Sequence, residues 1–120
     1  MNTRCPELRQ GCRVVCPVGE LDLAAAPALR DQLRGNDATL PAFVVADLRR
    51  VTFIDSSGLH ELKAAGARCE AAGGWLRLVY EHEAIALLLD LTGLQQRFPR
   101  YATVEDARRD RPFADRRPHN

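Results

Sequence analysis

The segment Phe43-Val44-Val45-Ala46-Asp47-Leu48 is apolar at successive positions, broken only by one carboxylate near its end. A strand with one face in water alternates apolar and polar residues, so a run without alternation needs cover on both faces. A chain that holds such a strand must also supply helices to lie over a sheet. The flanking segments do so. Arg13-Val14-Val15-Cys16-Pro17-Val18 is β-branched, stops at Gly19 and reads as a strand. Pro17 has no N–H to donate, which places it at a sheet edge or a strand end. Ala26, Leu29 and Leu33 recur at helical spacing, with Pro27 confined to the first turn and Gly35-Asn36 as the stop. Val51-Thr52-Phe53-Ile54 is a second short extended stretch. Leu59, Leu62, Ala65 or Gly66, and Cys69 then form the apolar stripe of a longer helix that Gly73-Gly74 ends. Trp75 to Val79 alternates as a strand, and His82 to Leu91 reads as a helix capped by Gly93. An extended piece over Tyr101 to Val104 and a helical start near Glu105 follow.

Strands that alternate with helices predict an α/β domain with a mixed, largely parallel central sheet of about four or five strands and about four helices. Residues 1–10 are expected to carry little regular structure, residues 11–107 to form the domain, and residues 108–120, charged and broken by Pro112, to form a flexible, solvated tail. A chain of 120 residues holds one core without staples.

Composition narrows the function classes. A formal net charge of +1 gives no nucleic-acid or membrane surface. Met1 to Gln10 is polar, with no apolar core of a signal peptide, and no apolar run reaches membrane-spanning length, so a cytoplasmic location is expected. The four cysteines form no C-x-x-C, and His60, His82 and His119 are scattered. Neither a metal site nor another cofactor site is expected.

The chemistry concentrates in Asp55-Ser56-Ser57-Gly58, where an extended segment hands over to a helix. Asp and Ser are both strong helix N-caps, so a capping cluster is the simplest account. A hydroxyl at that position also sits at the rim of the sheet, beside free N–H groups and the positive helix end. A phosphoryl group there would be tolerated while adding roughly −1.5 to −2 of charge. Asp22 precedes another helix and belongs to the same kind of loop.

Four segments in register resemble the STAS domain family, in particular bacterial anti-sigma factor antagonists. They are Gly19-Glu20-Leu21-Asp22, the buried strand ending Asp47-Leu48, Val51 to Leu59 with its F-x-D-S-S-G-L pattern, and Leu91-Thr92-Gly93-Leu94. The likeness runs from about Gly11 to Ala107. It implies a binding switch, not an enzyme. The unphosphorylated protein would bind an anti-sigma factor that is also an ATP-dependent serine kinase, and so release a sigma factor. Phosphorylation of Ser56 would end binding, and a serine phosphatase would reset the switch. Asp22, Asp55, Ser56, Ser57, Gly58, Leu59 and His60 would form the partner surface. His60 departs from the family pattern, where a small residue is usual.

Three other readings compete. A receiver domain phosphorylated on Asp47 needs an acidic pair on an early loop, where only the separated Glu20 and Asp22 stand, and a late lysine, whereas Lys63 is the only lysine. A serine hydrolase needs a G-x-S-x-G elbow and a placed histidine base, and neither is present around Ser56. A STAS scaffold or ligand-binding module in a stress-signalling complex, without phospho-switching, keeps the fold and changes the role.

Overall fold

The computed structural model describes residues 7–9, 11–35 and 42–113. Its elements run β1 (Glu7–Arg9), β2 (Cys12–Val15), β3 (Gly19–Leu21), α1 (Ala26–Arg34), β4 (Phe43–Asp47), β5 (Val51–Ile54), α2 (Ser56–Ala71), β6 (Trp75–Val79), α3 (Glu83–Leu91), β7 (Arg100–Tyr101) and α4 (Val104–Arg108). Five strands form the main sheet in the order β1-β2-β4-β6-β7, and β3 pairs with β5 in a separate two-stranded sheet. Only the β1–β2 pair is antiparallel; β2–β4, β4–β6 and β6–β7 are parallel. The expected α/β architecture with a mixed, mostly parallel sheet is therefore the one found.

The unbroken apolar run sits in the centre of this sheet, between β2 and β6. Val44 and Ala46 point into a large core shared with Leu29 and Leu33 of α1, Leu62 and Ala65 of α2, and Leu89 of α3. Val45, on the opposite face, joins Val14, Val79, Tyr101 and Ala107 under α4. Alternate side chains thus enter two cores, which is why the strand needs no polar face.

Pro17 lies just beyond the end of β2, an interior strand, so the strand-end reading of this proline holds and the edge reading does not. Val51 to Ile54 leaves the main sheet altogether for β3, a pairing that depends on long-range register. Residues 1–10, expected to carry little regular structure, include β1, whose backbone pairs with β2 from Glu7↔Val14 to Arg9↔Cys12.

Arg13 is buried, and its guanidinium donates to the carbonyls of Gln32 (2.7 Å) and Leu33 at the end of α1. A cation at the negative end of a helix satisfies carbonyls that the helix leaves open. Burial lowers the Arg13 pKa from its ordinary value.

The segment after α4, expected as a solvated tail, is exposed but tethered. The Tyr101 hydroxyl donates to Asp110 Oδ1 at 2.5 Å, the Phe113 N–H donates to the Arg100 carbonyl at 2.6 Å, and the Arg100 guanidinium stacks 4.4 Å from the Phe113 ring centre. Asp110 turns the chain back with a φ of 57°, a left-handed conformation that Asp tolerates better than most residues.

Candidate functional site

Parallel pairing of β3 with β5 builds the site. Leu21 stands opposite Ile54, so the residues that follow, Asp22 and Asp55, leave the small sheet at the same end. The Asp55 N–H donates to the Leu21 carbonyl at 3.2 Å and ties the two turns together. Gly58 is needed for this approach, because a β-carbon there would lie 2.5 Å from the Leu21 oxygen and 3.0 Å from Ile54 Cγ2.

Both aspartates accept backbone N–H groups, but only Asp55 caps a helix. Asp55 Oδ1 accepts from the N–H groups of Ser57 (2.8 Å) and Gly58 (3.2 Å) at the start of α2. Asp22 Oδ1 accepts from the Ala25 N–H at 3.0 Å in the turn before α1. With Asp55 as the N-cap, Ser56 is the first residue of α2, and its side chain is exposed. The capping account and the presented hydroxyl therefore belong to different residues.

The residues expected at a partner surface separate by burial. Ser56 and His60 are exposed; Asp22, Asp55 and Ser57 are half-buried; Gly58 and Leu59 are buried. Gly58 and Leu59 shape the surface from beneath, although Leu59 also reaches the wall of a groove.

Two shallow grooves flank Ser56. One, about 330 Å³, runs between α1 and α2 and is lined by Leu23, Arg30, Ser57, His60 and Glu61 as well as Ser56. The other, about 260 Å³, lies toward the end of α3 and is lined by Ser56, Leu59, His60, Lys63, Thr92 and Leu94. Arg30 pairs with the buried Glu61 through two of its guanidinium nitrogens, Nε to Oε1 at 3.2 Å and an Nη to Oε2 at 2.9 Å. The Arg30 hydrogen bond holds the Glu61 carboxyl below its ordinary pKa. Leu23 is 75% exposed beside the first groove, and Leu91, one residue before Thr92, is 73% exposed. Sequence reasoning did not place Leu23, Arg30, Glu61 or Lys63 at the site. Thr92 and Leu94 entered it only as part of a motif, because a groove between helices has no local signature.

Asp47 ends β4 buried and is held by its own turn. Its Oδ1 accepts from the Arg49 N–H at 3.1 Å, and the Arg49 guanidinium binds both oxygens at 2.8 and 2.9 Å. This local pairing raises the Arg49 pKa and occupies the carboxylate. Among the described residues no cluster of His, Cys, Asp and Glu has the makings of a metal site, and no helix is long and apolar enough to cross a membrane.

The STAS domain model matches residues 6–107. An anti-sigma factor antagonist from Mycobacterium paratuberculosis superposes with a TM-score of 0.78 at 34% identity, covering 90% of this chain and 92% of that one. The Bacillus cell fate determinant SpoIIAA in its phosphorylated form superposes with a TM-score of 0.64 at 22% identity, covering 87% and 94%. A sulfate transporter family protein from Wolinella succinogenes gives 0.70 at 21% identity, covering 84% of each. At these lower identities the last two speak for the fold alone. No curated protein sequence matches the chain. The chain belongs to the STAS domain family.

Proposed function

We propose that this protein is a cytoplasmic anti-sigma factor antagonist in a bacterium. Unphosphorylated, it binds an anti-sigma factor through the face around Ser56 and so frees a sigma factor for transcription. The anti-sigma factor is also a serine kinase: the γ-phosphoryl of ATP passes to Ser56 Oγ, ADP leaves, and the hydroxyl proton is released. A serine phosphatase hydrolyses the phosphoester and restores binding. The chain itself binds and is modified; it does not catalyse.

One observation carries this reading. Ser56 stands exposed at the start of a capped helix, between two grooves, with the Asp22 turn fastened beside it. A docking face with an exposed hydroxyl at its centre tolerates a partner until that hydroxyl becomes a dianion. Burying the dianion then requires desolvation or repels an acidic partner. A penalty of about 3 kcal/mol lowers affinity more than a hundredfold. The fold need not change, because the added charge is exposed and lies at the positive end of α2. The likeness to the Mycobacterium paratuberculosis antagonist over nearly the whole of both chains supports the same role.

The test incubates the protein with the small ATP-binding serine kinase of its own genome and ATP, maps phosphate by mass spectrometry, and measures complex formation by calorimetry. Phosphate is expected on Ser56, with Ser56→Ala binding as the parent does and Ser56→Asp at least tenfold weaker. A complex that forms equally with Ser56→Ala, Ser56→Asp and the phosphorylated protein removes the switch and leaves a scaffold.

A further inference from the structure

Three basic side chains stand around the Ser56 hydroxyl. Arg30 and His60 line the first groove with it, and His60 and Lys63 line the second. The neighbouring carboxylates already have partners: Glu61 is bound by Arg30, Asp55 by the N–H groups of Ser57 and Gly58, and Asp22 by that of Ala25. Among the described residues His60 and Lys63 make no ion pair.

His60 holds a different position from Arg30 and Lys63. It follows Ser56 by four residues in α2, one turn along the same helix face, where β-carbons lie about 5–6 Å apart. Helical side chains lean toward the helix N-terminus, so a side chain at position 60 is able to reach residue 56. Lys63 is nearly a full turn further on, and Arg30 is committed to Glu61. His60 also borders both grooves, so it flanks Ser56 whichever groove a partner fills.

We propose that His60 is the built-in counter-charge for a phosphoryl group on Ser56, pairing with it along one turn of α2 once the modification is in place. The inference rests on Ser56 being the modified residue. The second ionisation of a phosphoserine falls near pH 6, a range in which an imidazole also carries part of its charge. Each charge favours the other, so the phosphate becomes a dianion at lower pH than it would without the histidine. The other charged groups near it are Glu61 and Arg30, joined in an ion pair, Lys63, and Asp22 and Asp55, which accept backbone N–H groups; beyond the second groove Thr92 and Leu94 carry no charge. The positive end of α2 attracts any dianion equally in every variant, so a difference between variants reports the side chain at position 60.

The experiment installs phosphoserine at position 56 during translation, so that no kinase is required, and follows the phosphorus NMR signal from about pH 4.5 to about pH 8.5, spanning the second ionisation. The phosphate midpoint is expected on the order of half a unit lower in the parent than in His60→Ala, by the Coulomb attraction of two charges one turn apart. His60→Gln should titrate like His60→Ala, His60→Lys should keep the low midpoint, and added salt should shrink the gap. Phosphate curves that superimpose for the parent and His60→Ala, both folded by circular dichroism, overturn the proposal. Kinase binding, measured separately, reads the switch: if phosphoserine leaves binding intact the switch fails whatever His60 does, and if the curves superimpose while binding is lost the switch stands without His60.

Discussion

The carbonyl oxygen of Leu21 lies 2.5 Å from the point that a β-carbon on residue 58 would occupy. The same oxygen accepts the Asp55 N–H. One backbone atom therefore joins the two turns of the site and forbids a side chain beside it.

Gly58→Ala sets two effects against each other. Alanine gains about 1 kcal/mol of helix propensity over glycine. Overpacking against a fixed neighbour costs typically 1–3 kcal/mol, and here the neighbour is strand backbone that cannot turn aside. A net loss of about 1–2 kcal/mol is expected by urea denaturation, with weaker partner binding as Ser56 moves away from Asp22. Gly66→Ala is the control: its β-carbon would meet side chains alone, Phe98 Cζ at 3.1 Å, and no backbone, so it should cost less than Gly58→Ala. Equal stability of Gly58→Ala and the parent would refute the packing account.

Glu61 links the site to acid stability. Arg30 holds its pKa below the ordinary value, so its contribution is complete above the unfolded value and is lost as pH falls through the folded one. Glu61→Gln should lower stability at neutral pH and flatten its decline on the acid side of about pH 4.3. Parallel stability–pH curves for Glu61→Gln and the parent would show that the pair does not couple α1 to α2.

The difference between Leu62 and Glu61 shows what the sequence could reveal. Leu62 belongs to the stripe Leu59, Leu62, Ala65, Cys69, whose period alone marks it as core, and all four are buried. Glu61 is just as buried, but its partner lies 31 positions away on α1, and no local pattern records that. The same contrast holds among strands. β4 could be read because four successive apolar residues precede its Asp47, whereas the assignment of β5 to a separate sheet depends on its pairing with β3. At the site, Asp55-Ser56 was legible because a cap and the residue after it are adjacent in sequence. The groove walls were not, because they come from α1, α2 and the turns before α1 and after α3.

Alkaline pH tests the core. Burial pushes both tyrosines of the chain, Tyr80 and Tyr101, up to about 12. Their folded values exceed the unfolded value of about 10, so their contribution is complete below pH 10 and is lost as pH climbs toward 12. The folded protein should show almost no tyrosinate absorbance at about pH 10.5, and ionisation should arrive together with unfolding. Smooth titration of both phenols near pH 10 with circular dichroism unchanged would contradict this burial.

Tyr101 also decides how firmly the segment after α4 is held. Its hydroxyl, on a residue 2% exposed, donates to Asp110, which the Arg77 guanidinium approaches to 3.7 Å. Deleting everything from Arg109 onward removes that acceptor and strands a buried O–H, which costs about 1–3 kcal/mol. Tyr101→Phe in the full chain removes donor and bond together, and because Asp110 can turn to water it should cost about 1 kcal/mol or less. The two changes should not add: the truncated protein should regain stability when Tyr101→Phe is introduced, since the stranded hydroxyl goes with it. Urea midpoints for the four proteins of this cycle measure the coupling. Additive losses would mean that the segment from Arg109 to Phe113 rests on the sheet edge without being bonded to it through Tyr101.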